Sequence, residues 1–170
     1  MQLRTDARAN RDRIAEAATE LFAEHGLAVE MKDIAERAGV AVGTLYRHFD
    51  SKEDLLRAIV FDAIETIIAH ARDAEAEADG LTALRRLISE MHVAIRHYGW
   101  LVEAMMAGEL PPGLRAEVRA RREDEEMDHL AERVVQRCID QGTMRPDLDA
   151  AIASAMLFGT IAPWNRERVG

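Results

Sequence analysis

The sequence predicts an all-helical protein, and three observations carry that expectation. Apolar residues recur three and four positions apart through most of the chain, the spacing that lines one face of a helix. Ala and Leu dominate a hydrophobic fraction of 48%, and prolines number only four among 170 residues. No apolar run approaches the roughly twenty residues that a membrane span requires, so a cytoplasmic protein with no membrane partner is expected. The charged start, MQLRTDARANRDR, has no apolar stretch after it and reads as no secretory signal. A chain of this length buries roughly 70% of its unfolded surface, enough for one compact body with a small appended domain.

The elements follow in order. Ile14, Ala17, Ala18, Leu21 and Phe22 give one apolar stripe from Asp12 to His25, and Gly26 stops it. Met31 to Phe49 reads as two short helices joined by a bend. Ile34, Ala35 and Ala38 share a face of the first, Val42, Leu45 and Phe49 a face of the second, and Gly39 marks the turn. Ser51 is placed to cap a new helix with Asp54 at its third position. That helix runs without a breaker to about Glu77, with Leu55, Ile59, Ala63 and Ile67 among its apolar positions. A helix from Leu81 to Tyr98 is expected next, broken by Gly99, then a short apolar helix from Trp100 to Met106 and a loop through Pro111 and Pro112. One long helix from Leu114 to Gln141 and a last one from Leu148 to Ile161 complete the expectation.

Ile34-Ala35-x-x-Ala38-Gly39-Val40-x-x-Gly43-Thr44-Leu45-Tyr46-x-His48-Phe49-x-x-Lys52-x-x-Leu55 resembles the helix-turn-helix of the TetR family of bacterial transcriptional regulators. A dozen positions at fixed spacing carry the resemblance, which covers about residues 8 to 56. It implies a three-helix DNA-binding domain over residues 1–52. A larger helical ligand-binding and dimerisation domain would follow over 53–170, with about eight helices in all. The implied function is a ligand-responsive, DNA-binding transcriptional regulator: a homodimeric repressor released from a double-stranded DNA operator by a small apolar or amphipathic effector. Family dimers use the last two helices of each subunit. The chain stops nine residues after Ile161, so the final family helix is expected to be missing. Ala151, Ala155 and Gly159, flanked by Leu148, Ile152, Met156 and Phe158, are the expected two-fold contact, together with part of the long helix ending near Gln141; the alternative is a stripe that packs only within its own subunit.

Within the second helix of the motif, Ala41, Val42 and Gly43 are small enough to let the backbone lie deep in a major groove, with Val42 against a thymine methyl. Arg47 has the reach for guanine. Thr44, Tyr46, His48 and Lys52 occupy positions that the resemblance assigns to phosphate. Arg8, Arg11 and Arg13, near the expected start of the first helix, are candidates for backbone contact or for a solvated end. Where the family has Thr or Ser to cap its second helix, this chain has Val29, Glu30 and Met31. Glu30 suits the helix dipole but repels a phosphate.

Charge limits the reading. The net charge is −9, and residues 1–52 carry eight Lys and Arg against nine Asp and Glu, so the acidity lies mostly in the larger domain. Together with Glu30 this favours the alternative, an all-helical small-molecule-binding protein that keeps the hairpin as structure and binds DNA weakly or not at all. No catalytic constellation, cofactor or metal is expected. His92 and His97 are spaced by five rather than four, Cys138 lies in an apolar setting, and no Gly-rich phosphate loop follows a strand. Met91, Ile95, Trp100, Met105 and Met106 are the expected ligand-pocket wall, since flexible side chains accommodate varied apolar molecules.

Overall fold

The computed structural model describes the backbone of residues 2–124 and 127–159 and the side chains of 8–121 and 129–157. Among them are eight α-helices and no strand: α1 (Gln2–His25), α2 (Met31–Arg37), α3 (Val42–His48), α4 (Lys52–Glu75), α5 (Gly80–Met106), α6 (Pro112–Asp124), α7 (Met127–Asp140) and α8 (Ala150–Gly159), with a 3-10 turn over Gly26–Ala28.

Two packing units divide the chain. The first comprises residues 1–62 and 97–111, the second 63–96 and 112–170. This differs from the division expected at residue 52, because the first half of α4 and the end of α5 pack with the helix-turn-helix.

In the first unit, Ile14, Ala18 and Phe22 of α1, Ile34 of α2, Leu45 of α3 and Leu55 of α4 are all essentially inaccessible. α1 starts ten residues before Asp12, so Arg8, Arg11 and Arg13 lie inside it rather than near its start. Gly39 closes the α2–α3 turn at φ +66°, a backbone that a side chain rarely adopts. Its N–H donates to the Glu36 carbonyl at 3.1 Å and that of Val40 to Ala35 at 3.0 Å, so the end of α2 is satisfied inside the bend. Ser51 caps α4 as its sequence position implied: its Oγ accepts from the Asp54 N–H at 3.1 Å and donates to Asp54 Oδ2 at 2.7 Å.

The break expected at Gly99 is present as a kink one residue earlier, at Tyr98. α5 continues to Met106 with one non-helical residue, Tyr98, at φ −113° and ψ 16°. Trp100, Leu101 and Ala104 on the far side of the kink are buried. The Trp100 ring lies 5.0 Å from that of Phe22 at an interplanar angle of 52°.

The second unit is built on Ala74, Ala83, Leu84 and Leu87 packed against Leu130, Val134, Val135 and Cys138 of α7. The turn from α4 to α5 is clamped by α7. Arg137 donates to the carbonyls of Glu75, at 2.7 Å, and of Glu77; Gln141 donates to the Ala78 carbonyl at 2.9 Å and accepts from the Gly80 N–H at 2.7 Å. Gly80 permits this approach, for a Cβ there would sit 2.9 Å from the Cys138 backbone nitrogen. The long helix expected from Leu114 to Gln141 is described as α6 and α7, with residues 125 and 126 outside the described set. Arg121 of α6 pairs with Glu65 of α4. α8 starts at Ala150 rather than Leu148, because Asp149 Oδ1 accepts the Ile152 N–H at 2.9 Å and caps it there. The end expected at Ile161 lies outside the described residues.

Candidate nucleic-acid interface

The helical period divides α3 into an inward and an outward face. Leu45 is fully buried and Phe49, which follows the helix, is 3% exposed, so these two anchor α3 on the first unit's core. The opposite face carries Val42 and Tyr46, 43% and 47% exposed, with Ala41, Gly43 and Arg47 also exposed and Thr44 and His48 half-buried. Seven of the eight residues expected to meet DNA thus lie on one short helix and its N-cap, Ala41. The eighth, Lys52, is half-buried, and its ammonium donates to the main-chain carbonyl of Leu27. Burial pushes Lys52 below its ordinary pKa, and the nearby charge of Glu30 opposes that shift. An ammonium has three hydrogens, so this tie leaves two for a phosphate.

α2 is fixed to α1 by Arg37, whose guanidinium donates to Glu24 at 2.8 and 3.0 Å and to Glu20 at 3.1 Å. The hydrogen bond from Arg37 holds the Glu24 carboxyl below its usual range. Glu30 is the N-cap of α2, where its N–H donates to Asp33 Oδ2 at 3.3 Å. Its carboxylate pairs with the Lys32 ammonium at 3.0 Å, which offsets the charge expected to repel a phosphate. Of the N-terminal arginines, Arg13 donates to Asn10 at 2.6 Å and Arg11 lies over the Phe49 ring, its guanidinium carbon 4.9 Å from the ring centroid. Neither the Leu27 tie nor the Arg11 stacking was signalled by the sequence, because a main-chain acceptor has no residue code and the Arg11–Phe49 pair is far apart in the chain.

The five residues expected to form a ligand wall divide between the packing units. Met91 and Ile95, both half-buried, belong to the second, where Met91 packs on the α5–α7 core. Trp100, Met105 and Met106 belong to the first. Trp100 is buried with its indole Nε1 lacking a hydrogen-bond partner, Met105 is half-buried, and Met106 is 58% exposed. Cys138 is a buried free thiol, and no group of metal-ligating side chains occurs among the described residues. No helix among them is long and apolar enough to cross a membrane.

A short helix that is anchored by two apolar residues and offers a donor-rich outer face after a glycine bend defines a helix-turn-helix DNA-binding protein. The family model described as bacterial regulatory proteins, tetR family, matches residues 14–59. The HTH-type transcriptional regulator UidR of Escherichia coli K12 is 31% identical over 161 residues, 92% of this chain and 80% of that one. The HTH-type transcriptional repressor KstR2 of Mycobacterium tuberculosis H37Rv is 31% identical over 157 residues, 88% and 76% of the two chains. Among solved structures, the TetR family regulator PfmR from Thermus thermophilus superposes with a TM-score of 0.72 at 30% identity, covering 89% of this chain and 83% of that one. The chain belongs to the TetR family of bacterial transcriptional regulators. It is a DNA-binding regulator, from a family of regulators and not of enzymes.

Proposed function

We propose that the chain acts in the cytoplasm as a homodimeric repressor that binds a double-stranded operator and leaves it when a small apolar or amphipathic effector binds. The observation that carries the reading is the outward face of α3. Val42 and Arg47 are accessible to base edges, while Thr44, Tyr46, His48 and Lys52 supply donors for phosphate. Repression is supported by KstR2, a repressor whose solved structure is described as a ketosteroid regulator, which also supports an apolar effector. Dimerisation is supported by α8, where Ile152 and Met156 are 58% and 70% exposed in the single chain. Paired recognition helices would meet successive major grooves roughly 34 Å apart. Met91, Ile95, Trp100, Met105 and Met106 remain the effector contacts of this reading, and the unpaired indole N–H of Trp100 suits an effector with an oxygen acceptor.

The test is a mobility-shift selection from genomic fragments at low and at physiological salt, followed by sequencing of the retained DNA. A recurring two-fold-symmetric site, bound at physiological salt, is the expected result. Retention only at low salt and without a common sequence would leave the chain a helical binding protein that does not regulate through DNA.

A further inference from the structure

We propose that a groove in the first packing unit, formed by α1, Phe49 at the end of α3, α4 and the kinked part of α5, binds a small organic cation carrying an apolar body. The groove holds about 340 Å³, within the range of small-molecule sites. Phe49 and Ile59 provide an apolar floor, each 3% exposed as a residue. Asp12, Glu16 and Asp62 stand around it, with Tyr98 and His97 at the α5 end.

Charge selects the occupant. Three carboxylates face one guanidinium and one imidazole. Glu16 meets His97 Nε2 at 3.8 Å, while Asp12 and Asp62 have no ion-pair partner among the described residues. The Tyr98 hydroxyl registers the same environment: burial first, then the charges of Asp62 and Glu16, raise its pKa. A second, independent observation is that a cation already stands on the floor. The Arg11 guanidinium carbon lies 4.9 Å from the Phe49 ring centroid, in the cation–π geometry. An ammonium on an apolar body takes that place over Phe49 and releases Arg11. Phe49 closes α3, its N–H donating to the Leu45 carbonyl at 3.0 Å, so the occupant rests against the end of the recognition helix.

The experiment needs no DNA, so its outcome is independent of the operator reading. Benzyltrimethylammonium is titrated into the full chain while the ring resonances of Phe49 and Tyr98 are followed, with benzyl alcohol and phenylacetate as neutral and anionic controls. Saturable shifts at both rings are expected from the cation alone. Arg11→Ala removes the internal competitor and tightens binding roughly two- to fivefold, and Asp62→Asn weakens it by a similar factor. Shifts scattered over other acidic surface residues, equal binding of benzyl alcohol, or unchanged affinity in both variants overturns the site. A tightening in neither variant but a loss in Asp62→Asn overturns the displacement of Arg11.

Discussion

The ammonium of Lys52 donates to the main-chain carbonyl of Leu27, tying the first residue of α4 to the turn between α1 and α2. One side chain therefore closes the helix-turn-helix unit and stands beside its DNA face. Lys52→Ala is expected to lower the melting temperature and, separately, to flatten the salt dependence of DNA binding by about one unit of slope. Lys52→Met, which keeps the stem, isolates the lost amine. A lower slope with no change in thermal unfolding would show that the tie contributes nothing to the fold.

In the proposed reading, phosphate and base contacts separate on α3. Thr44→Ala and Tyr46→Phe should weaken binding to every DNA sequence alike, whereas Arg47→Ala should change which sequence is preferred, at about 1–3 kcal/mol for the base pair concerned. Competitive selection against a randomised site measures both. An unchanged preference in the Arg47 variant would move sequence reading to Val42 and the small residues beside it.

Arg37 joins α2 to Glu20 and Glu24 of α1, so Arg37→Met should loosen the unit and reduce DNA affinity. The carboxyl of Glu24 has a folded-state pKa below its ordinary 4.5. Its contribution to stability is present above 4.5 and is lost as pH falls through the lower, folded value. Melting curves of wild type and variant should therefore differ at pH 7 and converge as the pH falls below the folded value, which itself lies under 4.5. A difference that persists in acid would place the role of Arg37 in packing rather than in charge.

Gly80→Ala places a methyl 2.9 Å from the Cys138 nitrogen, against backbone rather than a flexible side chain. The start of α5 or the end of α7 must then shift, and a loss of about 1–3 kcal/mol in denaturant unfolding is expected. Gln141→Ala, which removes the bond to the Gly80 N–H but not the contact, should cost less.

Met156→Lys alters a side chain 70% exposed in the single chain and should leave the subunit's helicity intact. It is a cleaner probe of α8 than Ala155, which is half-buried within its own subunit. Light scattering should report a monomer, with operator binding weakened because one half-site lacks its second recognition helix. A variant that stays dimeric would move the interface off α8.

Much of the first unit was legible because its signals are local. Gly39 in the bend, Ser51 and Asp54 at the start of α4, and Leu45 and Phe49 at helical spacing each specify their structure within a few residues. The kink in α5 at Tyr98 was legible in the same way, since Gly99 stands directly after it. The start of α8 lies two residues later than its apolar pattern suggests because Asp149 provides the cap. The ligand wall was grouped by composition and by nearness in the chain. Met91 and Ile95 fall in one packing unit and Trp100, Met105 and Met106 in the other, an assignment that no periodicity on a single helix encodes.

The first packing unit is discontinuous in the chain, since residues 97–111 complete it and Trp100 covers Phe22 of α1. During synthesis, then, the helix-turn-helix leaves the ribosome before the segment that closes over its brace exists. At about 5–20 residues per second, several seconds pass with the apolar face around Phe22 uncovered. The covering of Phe22 is completed only after residues 63–96 of α4 and α5 have also been made, so the brace of the newborn reading head waits on the other unit of the chain.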